Sequence, residues 1–223
     1  MSTVDVVSRN QAKIRALLRS LARNTASLVT NKTLADGTAI SAEQDEVLAQ
    51  RTIVSYLNSL KRLYVLDEIP AWSPEMRAKI RLRVTPKRQL VDPSLAAAAM
   101  NADNEMLMRD LKTLGLLFEV LCLRDLLVYA QANDSVVNHY LDSTGLDVDA
   151  VIESPGGGWA AFEIRLGDAQ VDEAARKLVR LREKIVGVGN RPPLCLGVIV
   201  GVGAVSHRRD DGIFVIPIDL LGA

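Results

Sequence analysis

The stretch LDVDAVIESPGGGWAAFEIRL, Leu146–Leu166, decides the fold. Two runs of alternating apolar and polar residues flank Ser154-Pro155-Gly156-Gly157-Gly158. That turn chemistry predicts a hairpin of strands at Leu146–Glu153 and Trp159–Leu166. Upstream, Val136–Leu141 reads as a further strand. Before it, Leu111–Ala132 is a helix so apolar that it must be buried on most sides. Downstream, Asp168 caps a helix running to about Val186, with Val171, Ala174, Ala175, Leu178, Leu181 and Ile185 on one face. Leu194–Val202 is a continuous apolar run, as expected of a central strand covered on both faces. Gly212–Ile218 supplies the last strand. A helix between strands permits a parallel crossover, so the second half predicts an α+β or α/β domain, a mixed sheet flanked by helices.

The first half has a different period. Asn10–Ala26 sets Ile14, Leu17, Leu18, Leu21 and Ala22 on one face of a helix, with Arg15, Arg19 and Arg23 elsewhere. A second short helix falls within Ser27–Gly37 and stops at the glycine. Ser41 and Gln44 form a capping box. They open a third helix to about Tyr64, with Val47, Ile53, Val54, Leu57, Leu60 and Leu63 as core candidates. Leu63–Ile69 turns extended and Pro70 ends it; Arg88–Val91 is its partner strand. Three helices followed by a two-stranded ribbon is the order of a winged helix. Asp92-Pro93-Ser94 breaks the chain before an alanine-rich helix. The expected division is a winged-helix-like helical module over 1–92 and an α/β domain over 93–223.

Lys+Arg and Asp+Glu both number 27, so the chain is formally neutral and any nucleic-acid contact must come from a local basic patch. Lys61-Arg62 and Lys87-Arg88 are the candidate clusters; solvated surface charge is the plainer alternative. Cys122 and Cys195 lie in apolar runs without zinc spacing, which suits buried reduced thiols. The N-terminus has no signal core, and no apolar run reaches the roughly 20 residues of a membrane helix. The expectation is a cytoplasmic protein with no membrane association.

Five residues are candidates to carry chemistry. Asp147 and Asp149 alternate along one strand of the hairpin, Glu163 and Arg165 along the other, so Asp149 and Glu163 can converge. Glu119 lies on the buried helix, where an unpaired charge is costly. Three carboxylates at a sheet edge would suit Mg²⁺, which prefers oxygen ligands and can activate water against a phosphodiester. The bland alternatives are a solvent-facing strand for the acids and an Arg124 partner for Glu119. Gly201 and Gly203 lack the context of a dinucleotide site, and there is no P-loop, hence no nucleotide site in this chain. His139 and His207 stand alone, and Trp72 and Trp159 are packing residues.

Tyr56–Asp67 with Pro86–Leu95, Leu114–Glu119, and Leu146–Val151 with Ala161–Arg165 together resemble the C-terminal half of bacterial ATP-binding proteins of the AAA superfamily. There an ATPase module precedes a winged helix and a domain of unknown function, the 4143 domain. The resemblance implies a restriction-endonuclease-like, PD-(D/E)XK fold for the last domain. It implies a site of Glu119, Asp149 and Glu163, with residue 165 in the place of the usual lysine. Here that residue is Arg165, which stays protonated and presents a wider planar fork, so hydrolysis is weakened. It also implies an AAA ATPase module working in cis or in trans, the chain being a fragment, a shortened product or one half of a pair.

Three readings follow. The first is a nucleic-acid-binding, catalytically weakened effector region of an AAA-type ATPase. The second is an active Mg²⁺-dependent nuclease using Asp149 and Glu163. The third is an assembly domain that forms homo-oligomers or captures an ATPase.

Overall fold

The computed structural model describes residues 11–39, 48–74 and 85–222. The architecture is mixed α+β, with helices followed by a mixed sheet flanked by helices.

Helix α1 (Gln11–Arg23) buries Leu17, Ser20, Leu21 and Ala22, the stripe its apolar spacing predicts. Thr30 caps α2 (Asn31–Asp36), accepting from the Thr33 amide at 3.1 Å. The helix stops at Gly37, as expected, but for a packing reason. Gly37 has an ordinary helical backbone, and a Cβ there would lie 2.3 Å from Ser20 Oγ of α1. Helix α3 (Gln50–Arg62) buries Ile53, Tyr56, Leu57 and Leu60 against α1 and α2. The predicted capping box at Ser41 and Gln44, and Val47, lie outside the described residues; within them the helix begins at Gln50. Val54 and Leu63, expected in the core, are exposed. Strands β1 (Leu66–Ile69) and β2 (Lys87–Leu90) pair antiparallel, Leu66 opposite Leu90 and Ile69 opposite Lys87.

Asp92 caps α4 (Pro93–Met100) through the Ser94 amide at 2.8 Å, with proline in the first turn where its missing N–H costs nothing. Helix α5 (Asn104–Arg109) follows, then α6 (Leu111–Ala132), which spans the expected residues. No helix among the described residues is long and apolar enough to cross a membrane.

The sheet has the order β3-β4-β5-β6-β8-β7. Strands β3 (Val136–Leu141), β4 (Asp147–Glu153) and β5 (Trp159–Arg165) are antiparallel, the last two joined by the glycine turn. After a 3-10 turn at Asp168–Gln170, α7 (Val171–Gly187) crosses to β6 (Cys195–Val200), parallel to β5. Strand β8 (Phe214–Pro217) is parallel to β6, and the two-residue β7 (His207–Arg208) covers its edge. Nothing in the sequence marked β7, because two residues carry no period. Helix α7 packs one face of the sheet through Ala174, Leu178 and Leu181 against Val148, Val198 and Val200. Helix α6 packs the other through Phe118, Leu123 and Leu126 against Ala150, Phe162 and Ile199. Cys122 is buried, whereas Cys195 is only partly so.

The two halves share core. Ala26 and Ile69 pack into the α6 layer, and Trp72 packs among sheet residues. The Trp72 amide donates to His139 O at 2.6 Å and the His139 amide donates to Pro70 O at 2.9 Å, which closes the outer edge of β3. The Trp72 ring lies 5.1 Å from Trp159 and 6.2 Å from Tyr140, centroid to centroid. Trp72→Ala should therefore lower stability by about 3–5 kcal/mol. Urea unfolding followed by circular dichroism measures this, and a loss below about 1 kcal/mol would show that the two halves do not depend on this contact.

Candidate functional site

A bulge sets the site's geometry. Asn138 of β3 faces Val151 and Tyr140 faces Val148, so β4 places Asp149 and Ala150 together opposite His139. Such a bulge breaks the alternation that would have put Asp147 and Asp149 on one face. Asp147 takes Lys177 of α7 at 2.9 Å. Asp149 is buried and turns to other partners. The β4–β5 ladder ends at Ala150 opposite Phe162. Beyond it the side chain of Asp149 takes over from the backbone: its Oδ2 accepts from the Ile164 amide at 2.9 Å.

Three of the other four expected residues, Glu119, Glu163 and Arg165, surround Asp149, and Asp147 does not. Arg165 donates to Asp149 Oδ2 at 2.8 Å and also pairs with Glu163. Glu119 of α6 stands on the far side and shares a cation with Asp149. That cation is Lys87 of β2, whose Nζ lies 2.8 Å from Glu119 Oε1 and 3.3 Å from Asp149 Oδ1. Arg124, the alternative partner weighed for Glu119, pairs with Asp92 and Asp125 instead. The expected convergence of Asp149, Glu163 and Arg165 is thus present, and the ribbon adds a lysine to it.

Lys87 and Arg88 are therefore placed differently from an exposed basic cluster. Both are buried. Arg88 donates to Glu68 Oε1 and to Val29 O, each at 3.0 Å, pinning the ribbon to the helices. Alternation along β2 does not separate them, since all four residues of that short strand are buried. Lys61 and Arg62 are exposed at the end of α3, Lys61 with its amine 2.5 Å from Glu68 Oε2. His139 is fully buried, so of the two histidines only His207 lies at the surface.

The charges set one another's protonation. Burial alone would raise the pKa of Asp149, but the Lys87 and Arg165 charges and the Ile164 amide outweigh it and hold the carboxyl below its ordinary range. Glu119 is pushed up to about 7 by burial and by the Asp149 charge, against the pull of Lys87. Glu163 is pushed up to about 8, again by burial and then Asp149, against Arg165 and Lys177. Its side chain is 0% exposed, and among the described residues Oε1 has no hydrogen-bond partner. Lys87 is stabilised as a cation, because Asp149 and Glu119 more than offset its burial.

A divalent cation needs open carboxylate oxygens. Both oxygens of Asp149 are engaged, Glu163 Oε2 is held by Arg165, and two protein cations occupy the space among the acids. Among the described residues no group of three or more His, Cys, Asp or Glu is arranged to hold a metal ion. This arrangement does not suit Mg²⁺. A cleft of about 760 Å³ beside the cluster is lined by Leu111, Gly115, Leu116, Glu119, Arg165 and Leu166, so Glu119 and Arg165 of the cluster border it.

Comparison with known proteins divides the chain in two. Residues 2–106 match the family model described as domain of unknown function DUF8612, and residues 114–221 match that of domain of unknown function DUF4143. The latter is a domain typically found with AAA ATPases. No curated protein matches the chain. A solved assembly of Thermococcus gammatolerans McrB AAA+ hexamers with bound McrC aligns with 93% of this chain and 70% of its own, at 10% identity and a TM-score of 0.34, a likeness too distant to fix fold or partner.

Two outcomes test the cluster. Arg165→Ala leaves Asp149 and Glu163 buried and close together, which should cost about 3–5 kcal/mol in urea unfolding. A loss under 1 kcal/mol would mean the guanidinium is not what neutralises them. The second concerns pH. Glu163 is raised above its unfolded value of about 4.3, so its contribution is full below that pH and is lost as pH rises through about 8. Asp149 has the opposite sign, contributing above about pH 4 and losing that contribution in acid. Glu163→Gln stays neutral throughout. Its stability relative to the parent protein should climb by on the order of 1 kcal/mol per unit between about pH 5 and 7.5 and level off above about pH 8. A difference that stays flat with pH would show that Glu163 is already ionised at pH 5.

Proposed function

We propose that this chain is the effector region of an AAA-type ATPase and that it binds nucleic acid without cutting it. The observation that carries the second half is the pair of cations inside the acidic cluster. Arg165 bridges Asp149 and Glu163, and Lys87 bridges Asp149 and Glu119. Carboxylates already neutralised by fixed protein charges are poor ligands for the metal that phosphodiester hydrolysis would use. The nuclease-like arrangement then serves as an anchor for the ribbon. The ATPase association rests on residues 114–221, which match a domain typically found with AAA ATPases.

The distribution of charge supports the binding half of this reading. Residues 1–92 hold 15 Lys+Arg against 9 Asp+Glu, and residues 93–223 hold 12 against 18. The neutral total conceals a basic half and an acidic half. Helices α1 and α3 contain no acid at all. On α3, Arg51, Asn58 and Arg62 are exposed and fall within about 20° of one line, opposite the buried Ile53, Leu57 and Leu60. In a winged-helix module this is the helix that faces nucleic acid, with arginines for phosphates and an amide for a base edge.

Fluorescence anisotropy with labelled DNA, single-stranded and duplex, across a salt series is the direct measurement. Binding should be present at low salt and fall steeply with added salt, and Arg51→Ala with Arg62→Ala should reduce the slope by about 2. The same DNA with Mg²⁺ or Mn²⁺ should stay intact. Binding absent even at low salt removes the nucleic-acid assignment. Metal-dependent cleavage that Glu163→Gln abolishes would favour the active nuclease instead.

A further inference from the structure

Four non-glycine residues among those described have a left-handed backbone: Ala26, Tyr64, Asn101 and Asp134. Three are small or carry the short side chains that tolerate this region. Tyr64, with φ +54, is the large one. Its conformation follows from how α3 ends. The Val65 amide donates to Leu60 O at 2.9 Å and the Tyr64 amide to Lys61 O at 3.0 Å, the paired bonds of a Schellman turn. The residue at this position is usually glycine, because any Cβ there is strained. A bulky side chain in such a place is ordinarily accepted for the sake of packing. Tyr64 packs against little: it is 85% exposed, and its neighbour Leu63 is 69% exposed. The turn thus holds an aromatic ring in solvent on a strained backbone, two residues after Arg62 and just beyond the acid-free helix α3.

We propose that Tyr64 is a stacking platform for an unpaired base, so that the preferred ligand is single-stranded nucleic acid or a single-strand junction. This rests on the nucleic-acid reading above and narrows it. An exposed ring offers a face to any base that is out of its stack, and Leu63 beside it supplies an apolar wedge. Arg62 and the rest of the α3 stripe supply phosphate contacts along the same strand. A paired base, stacked within a duplex, offers no face to Tyr64. Without the buried Lys87 and Arg88, residues 1–92 still hold 13 of their 15 Lys+Arg against 9 Asp+Glu, which favours a polyanion over an apolar protein partner.

The test uses the full chain, a labelled thymidine strand of about 20 nucleotides and a duplex of equal length, at low salt. Tyr64→Gly should raise the melting temperature, because glycine relieves the turn, and should weaken single-strand binding about tenfold while changing duplex binding less than threefold. Tyr64→Phe should keep single-strand affinity, since stacking needs the ring and not the hydroxyl. Single-strand affinity unchanged in Tyr64→Gly, with Arg51→Ala still weakening binding, would overturn the platform and leave the broader reading standing. If the parent protein binds neither strand, both fall. Self-association in sedimentation that Tyr64→Gly abolishes would instead assign the ring to a second copy of the chain.

Discussion

Three carboxylates can share the interior of a protein only where positive charge lies between them or protons neutralise some of them. Glu119, Asp149 and Glu163 come from a helix and two strands that have their own hydrophobic reasons to pack, and their charges arrive together as a consequence. Arg165 and Lys87 make that arrangement tolerable. Arg165 is local, two residues from Glu163 on the same strand. Lys87 is remote, on a ribbon that belongs by sequence to the other half. The position of the ribbon on the sheet is therefore tied to the electrostatics of the sheet's own acids, and Arg88, held by Glu68 and Val29, fixes the same ribbon to the helices. One short strand, β2, joins both halves through two adjacent cations.

This bears on chemistry as well as on packing. A cluster that holds a metal keeps its oxygens open and leaves its cation to solvent exchange. Here the protein's own cations are in place, one of them in a long flexible side chain and the other in a fork matched to two carboxylates. The raised Glu119 and Glu163 and the lowered Asp149 are two sides of one distribution, with the cations nearest Asp149 settling which acid keeps its charge. Exposed basic residues without acids on the same helix lie elsewhere, on α3, where Arg51 and Arg62 face outward. An internally neutralised cluster beside a helical module richer in basic than acidic residues is the physical basis of the proposed reading.

The sequence by itself determined the elements and their order. Strands β3, β4, β5, β6 and β8 and helices α6 and α7 lie where periodicity and turn residues put them, because an amphipathic pattern specifies which face is buried whatever covers it. It also brought Asp149, Glu163 and Arg165 together, since a hairpin with a defined turn fixes which residues can approach. What it could not carry was anything set across long separations. Lys87 is 62 residues from Asp149, and as part of a Lys-Arg pair it reads as surface charge. Gly37 reads as a helix stop, but its need comes from Ser20 on another helix. The bulge at Asp149 depends on the pairing of β3 with β4, and Leu63 reads as a core residue until the end of α3 leaves it exposed. Local pattern encodes burial and period. The choice of which charges meet, and which side chains are left in solvent, is made only when separate elements pack, because Coulomb and steric terms depend on distances in space that the order of residues does not contain.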